Sequence, residues 1–120
     1  MSRIIIKMKL PSLNDYIRVC RSNKYQGSKF KKKIEEDIMI FLRDLPVFEH
    51  PVKMHFHWIE DNKRRDLDNI CFAKKFILDA MVKAGKLQDD SSRYVVSFLD
   101  TFEYGSEPMV NVTVQEVEQW

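Results

Sequence analysis

The stretch from Val52 to Lys86 constrains the chain more than any other. Residues 52 to 59 set Val52, Met54, Phe56 and Trp58 against Lys53, His55 and His57, the period-two pattern of a half-buried strand. After the polar run EDNKRRDLDN come about 17 residues of near-continuous helix formers, Ile70 to Lys86, with Gly85 as the expected C-cap. Ile70, Phe72, Ala73, Phe76, Ile77, Leu78, Ala80 and Met81 cover most of that helix's circumference. A helix apolar on most sides has to be enclosed, so strand and helix must share one core.

The remaining pattern supplies partners for this pair. Residues 3 to 10 alternate Ile4, Ile6 and Met8 with Arg3, Lys7 and Lys9, a first strand that Pro11 ends. Ser12 to Gly27 reads as a long basic loop. From Ser28, a suitable N-cap, Phe30, Ile34, Ile38, Phe41, Leu42 and Leu45 recur at three and four, giving a helix that stops at Pro46. Strands over about 94–103 and 108–117 flank Gly105 and are expected to pair as a hairpin. The order β-α-β-α-β-β indicates an α+β fold, a mixed sheet with two main helices. With 120 residues, three glycines and no repeat, a single domain over 1–120 is expected.

Several function classes are disfavoured. No apolar run approaches the roughly 18 residues of a membrane span, and MSRIIIKMKL alternates charge with isoleucine instead of forming a signal segment. Cys20 and Cys71 form neither a disulfide framework nor a CxxC motif, so reduced thiols and a cytoplasmic location are expected. His55 and His57 share a strand face but have no regularly spaced third ligand, which argues against zinc. There is no GxGxxG, Walker, GxSxG or HExxH motif, so no nucleotide cofactor is expected.

The charges are unevenly placed. Residues 1 to 33 hold ten of the twenty Lys and Arg but only one of the eighteen acids, Asp15. A basic front on an acidic remainder suits a polyanion-facing surface beside a carboxylate cluster. In RRDLDN, Asp66 and Asp68 project to one side if the segment is extended, and two close anions require a compensating cation or donors. Oxygen-only ligands of this kind suit Mg²⁺ or Mn²⁺, whereas helix capping and salt bridging suit the same residues. Asp89 and Asp90 follow a helix that spans roughly 25 Å, so they meet Asp66 and Asp68 only if the chain doubles back or a second chain supplies one set. Lys75 and Asp79 lie within about 20° of the helix face that starts at Asp68, either as part of a site or as an (i, i+4) salt bridge.

RRDLDN, the helix containing KKFILDAMVKAG, the DD pair after it and the early PSLND...Y together resemble the RusA family of Holliday junction resolvases, small homodimeric endonucleases of phages and prophages. The specific part covers residues 64 to 90. The resemblance implies a catalytic, Mg²⁺-binding triad of Asp66, Asp68 and Asp90, with Mn²⁺ as a substitute. Its catalytic lysine maps onto Lys75 when counted back from LDAM; Lys74 is the fallback, because counting forward from DLDN lands on Phe72. Arg64 and Arg65 would then hold backbone phosphates. By charge alone, Arg18, Arg21, Lys24, Lys29, Lys31, Lys32 and Lys33 would track DNA. The implied partners are a four-way junction and a second copy of the chain. The same residues would serve a nuclease of flaps or other branched DNA, and a non-catalytic DNA-binding or dimerisation module is the remaining alternative.

Overall fold

The computed structural model of the protein describes residues 1–118. Its elements are β1 (Ser2–Ile6), α1 (Leu13–Ser22), α2 (Lys24–Phe41), β2 (Val52–Glu60), α3 (Leu67–Cys71), α4 (Lys74–Lys83), β3 (Val95–Tyr104) and β4 (Met109–Glu116). With consecutive helices grouped, the order is β-α-β-α-β-β, and the fold is α+β as the residue pattern indicates. The sheet is mixed, in the order β1-β4-β2-β3.

The strand registers gather the apolar residues on one face. Met54, Phe56 and Trp58 lie opposite Val114, Val112 and Val110, and Ile4 and Ile6 lie opposite Val112 and Val110. All are buried and form one core with Ile38 of α2, Leu42 at its C-cap, and Phe76, Ile77, Ala80 and Met81 of α4. Phe76, Ile77, Ala80 and Met81 are fully buried; each large side chain among them contributes about 1.5–3 kcal/mol. The opposite face carries Arg3, Lys53, His55, His57, Thr101 and Glu103, all partly or fully exposed.

Four local expectations are corrected. The expected β3–β4 hairpin does not form, because β2 lies between the two strands. Every second residue of β2 is buried, so it occupies the sheet interior, parallel to β3 and antiparallel to β4. The turn at Gly105 passes over the end of β2, where the Gly105 N–H donates to the Glu60 carbonyl at 2.9 Å. The expected basic loop contains α1, whose start is fixed by a reciprocal capping box between Ser12 and Asp15. Hydrogen bonding by the Ser12 backbone N–H holds the Asp15 carboxyl below its ordinary pKa.

The third correction concerns α2, which begins at Lys24 after an Asn23 cap, ahead of Ser28. Gly27 sits inside it where α1 crosses, and a Cβ there would lie 2.8 Å from Cys20 Sγ. The fourth is a break in the long helix. The Ala73 and Lys75 N–H groups reach three residues back, to Ile70 and Phe72, so the winding tightens between α3 and α4. Gly85 ends α4 as expected, with φ +74. Lys86 N–H donates to Met81 O and Gly85 N–H to Val82 O, a Schellman reversal.

A Cβ at Gly85 would meet nothing within 4 Å, so Gly85→Ala isolates the conformational term. It should lower unfolding stability by about 1–2 kcal/mol in urea denaturation. An unchanged midpoint would mean that the chain reverses equally well without a left-handed residue.

Candidate active site

The entrance to α3 sorts its charges by direction. Arg65 turns inward: Nη1 donates to Glu60 Oε1 at 3.2 Å and Nη2 to the Leu10 carbonyl at 2.8 Å. The pair is largely buried, with side-chain exposures of 16% and 7%. Arg64 is exposed, and its backbone N–H is held by Asn62 Oδ1. Asp66 occupies the N-cap position in extended conformation, yet its side chain makes no capping hydrogen bond. Asp68, in the first turn, is exposed. Among the described residues neither carboxylate takes a hydrogen bond or an ion pair.

The two motif segments meet in space. Asn69 Oδ1 accepts the Asn14 N–H at 3.2 Å, joining DLDN to PSLND across α3 and α1. Tyr16 then packs among Phe30, Phe72 and Phe76, edge-on to Phe76 at 5.5 Å. Asn69 therefore fastens two helices, a tie that its spacing from Asp68 did not disclose.

The Schellman reversal turns the chain back toward the start of α4. The chain doubles back after Gly85, and Lys75 in the first turn of α4 donates to Asp90 Oδ2 at 3.1 Å. Lys75 also donates to Asp79 Oδ1 at 3.1 Å, which is the (i, i+4) salt bridge that the spacing allowed. The uniform count from Asp68 does not extend across the tightened turn at Phe72 and Ala73. Hydrogen bonds to Asp90 and Asp79 hold the Lys75 ammonium above its ordinary pKa. Burial would raise the Asp79 carboxyl, but Lys31 and Lys75 outweigh it and hold that group below the usual range.

Lys74 and Lys75 face different surroundings. Lys74 pairs with Asp100 of β3, whose Oδ1 accepts Trp58 Nε1–H at 2.9 Å, and its ammonium lies 4.7 Å from the Phe98 ring centre. Sequence reasoning missed Asp100; the signal was an acid alternating with Phe98 and Phe102 on the side of β3 that belongs to the core. Burial, followed by the Asp100 charge, pushes the Cys71 thiol up. His55 and His57 both bond Thr101 Oγ1, and His57 also bonds Glu103.

Of the basic residues, Arg18, Arg21, Lys24, Lys29, Lys32 and Lys33 are exposed along α1 and the start of α2. Lys33 pairs with Asp37 at 2.8 Å, and Arg18 lies 3.9 Å from Asp15. Lys31 turns inward, 2.7 Å from Asp79 and 3.4 Å from the buried Glu35, which also pairs with Lys83.

The donor set at the α3 entrance fits a hard divalent cation. Its carboxylates are oxygen-only, solvent-facing and uncompensated, and Mg²⁺ is commonly held by one or two carboxylates with waters and substrate phosphates completing the shell. Among the described residues no three His, Cys, Asp or Glu side chains converge on one ion position. Residues 2–115 match the family described as Endodeoxyribonuclease RusA. The chain belongs to the RusA family. RusA is a family of endodeoxyribonucleases, and the match runs from the start of β1 to one residue short of the end of β4. No curated protein matches the chain. Among the described residues no helix is long and apolar enough to cross a membrane.

Arg64 and Arg65 should respond oppositely to truncation. Arg65→Ala leaves Glu60 buried and unpaired and should cost about 3 kcal/mol in urea unfolding. Arg64→Ala should leave stability within about 0.5 kcal/mol while weakening DNA binding, with a shallower salt dependence in fluorescence anisotropy. Equal destabilisation by both would contradict the inward assignment of Arg65.

Proposed function

We propose that the protein is a Mg²⁺-dependent endonuclease that resolves four-way DNA junctions by paired phosphodiester hydrolysis as a cytoplasmic homodimer. The observation that carries the reading is the state of Asp66 and Asp68 in a chain of this family. They are exposed carboxylates that neither cap the helix nor pair with a cation, although Arg64 and Arg65 adjoin them. Capping and salt bridging, the structural uses of an Asp-x-Asp pair, do not account for them. Return of the chain to Lys75 supports Asp90 as the third acid.

The chemistry that Mg²⁺, or Mn²⁺ in its place, supplies when bound by Asp66, Asp68 and Asp90 is charge neutralisation and an activated water. The chain's own residues do the rest. Arg64 and the exposed cations of α1 and α2 hold backbone phosphates and set the register of the strand. Lys75 adds positive charge where the phosphoryl oxygens become more negative. A junction presents two equivalent strands, and a two-fold dimer presents two equivalent sites. The prophage setting of many relatives implied by the resemblance fits such a substrate.

The test compares a synthetic four-way junction with linear duplex and flap DNA, in Mg²⁺ or EDTA, for the wild type and Asp66→Asn. Paired cuts confined to the junction, dependent on Mg²⁺ and lost in the variant, are expected. The variant should bind the junction as well as the wild type or more tightly, because a repulsive charge is removed. Preference for flaps would reassign the substrate. Binding without cutting under Mg²⁺ or Mn²⁺ would make this a non-catalytic DNA-binding module.

A further inference from the structure

Asp79 receives two ammonium groups from two different helices. Its Oδ1 accepts from Lys75 on its own helix at 3.1 Å, and its Oδ2 lies 2.7 Å from Lys31 on α2. Asp79 is largely buried, at 16% side-chain exposure, whereas Lys75 is 53% exposed. The anion is therefore the fixed member of this pair and the lysine the mobile one. Beyond Lys31 the alternation continues through Glu35, 1% exposed, to Lys83. Asp79 is thus anchored through Lys31 to a carboxylate locked inside the α2–α4 packing.

Asp90, the other partner of Lys75, has a second claim on it. Under the reading above its carboxylate is a metal ligand, and one carboxylate serving a metal holds an ammonium less firmly. A lysine with four rotatable side-chain bonds loses its direction once it loses its anchor. We propose that Asp79 is the positioning residue for Lys75, a buried carboxylate that keeps the ammonium at the mouth of the site independently of Asp90. This inference rests on the nuclease reading and assigns to the site a residue outside its acidic triad. Asp79 touches neither DNA nor metal; it acts through Lys75.

The test uses the full-length protein and the variants Asp79→Asn, Lys75→Ala, their double variant and Glu35→Gln. Three quantities are read: single-turnover cleavage of a four-way junction in Mg²⁺, junction affinity in EDTA, and ¹⁵N relaxation of the Lys75 ammonium in the free protein. Asp79→Asn should slow cleavage by about tenfold or more while changing affinity by less than about twofold. It should also mobilise the Lys75 ammonium. The double variant should be no slower than Lys75→Ala within about twofold, because both changes remove the same contribution. Glu35→Gln loosens the helix packing but leaves the Lys75–Asp79 contact in place. It should lower thermal stability and still cleave within about threefold of the wild type.

The proposal is overturned if Asp79→Asn cleaves like the wild type, if its loss multiplies fully with that of Lys75→Ala, or if Glu35→Gln loses as much cleavage as Asp79→Asn. It is also overturned if the Lys75 ammonium stays equally ordered without Asp79. A wild type that cuts no junction defeats the nuclease reading instead, and the relaxation measurement alone then decides whether Asp79 holds Lys75.

Discussion

Enclosure of α4 is the constraint from which the rest of the structure follows. Phe76, Ile77, Ala80 and Met81 have no exposed surface, so the helix needs cover on several sides at once. The sheet supplies one side through Phe56, Trp58 and Val112, and α2 with its C-cap supplies another through Ile38 and Leu42. β2 must then sit inside the sheet to present a full row of apolar residues to the helix. That requirement separates β3 from β4 and turns an expected hairpin into two strands joined across the end of β2.

An enclosed helix has little room for charge, and the charges it carries must be paired or face solvent. A carboxylate as buried as Glu35 is tolerable only beside cations, because an isolated buried ion costs several kcal/mol even after relaxation. Lys31 and Lys83 meet that need from two directions. Lys31 is then committed to the interior and unavailable to DNA, although it stands in a run of lysines whose other members face water. Charges of alternating sign run from Glu35 through Lys31, Asp79 and Lys75 to Asp90, from the α2–α4 packing to the start of α4.

The parts legible in the sequence were those with a short-range physical signature. The alternation in β2, the strand over β4, the apolar circumference of α4 and the Gly85 stop each follow from neighbouring residues and appear in the structure, whereas β1 ends at Ile6, short of the Leu10 that its alternation and Pro11 implied. α1, read as a loop, did carry a local signal in Ser12 with Asp15 and in Leu13, Tyr16, Ile17 and Cys20 at helical spacing. Its polar majority and the turn formers around it masked that signal. Strand neighbours were not legible. A glycine turn between two strands specifies a reversal, whereas the choice between pairing and leaving a gap for β2 depends on what lies under the sheet. Inward charges were equally hidden: nothing local shows that Arg65 turns in and Arg64 out, or that Lys74 turns to the core, until Glu60, Leu10 and Asp100 arrive from distant segments.

Those inward commitments bear directly on the acids at the α3 entrance. Arg65 is used by Glu60, Lys74 by Asp100, Lys75 by Asp79 and Asp90, and Lys9 by Asp61 at 2.7 Å. Each lies near Asp66 and Asp68 in sequence or in the adjoining elements, and each is engaged elsewhere. A surface that binds DNA while presenting two uncompensated carboxylates works against itself, since both partners are anions. Arg65, Lys74, Lys75 and Lys9 could relieve this only by leaving their present partners, whereas Arg64 points to solvent. The arrangement is self-consistent when a mobile cation from solution fills the gap, because such an ion attracts the carboxylates and the phosphate together. The crowding of opposite charges in RRDLDN therefore reflects a division of labour, in which Arg65 closes the fold while Arg64, Asp66 and Asp68 face solvent, the arrangement that the proposed metal and phosphate binding would use.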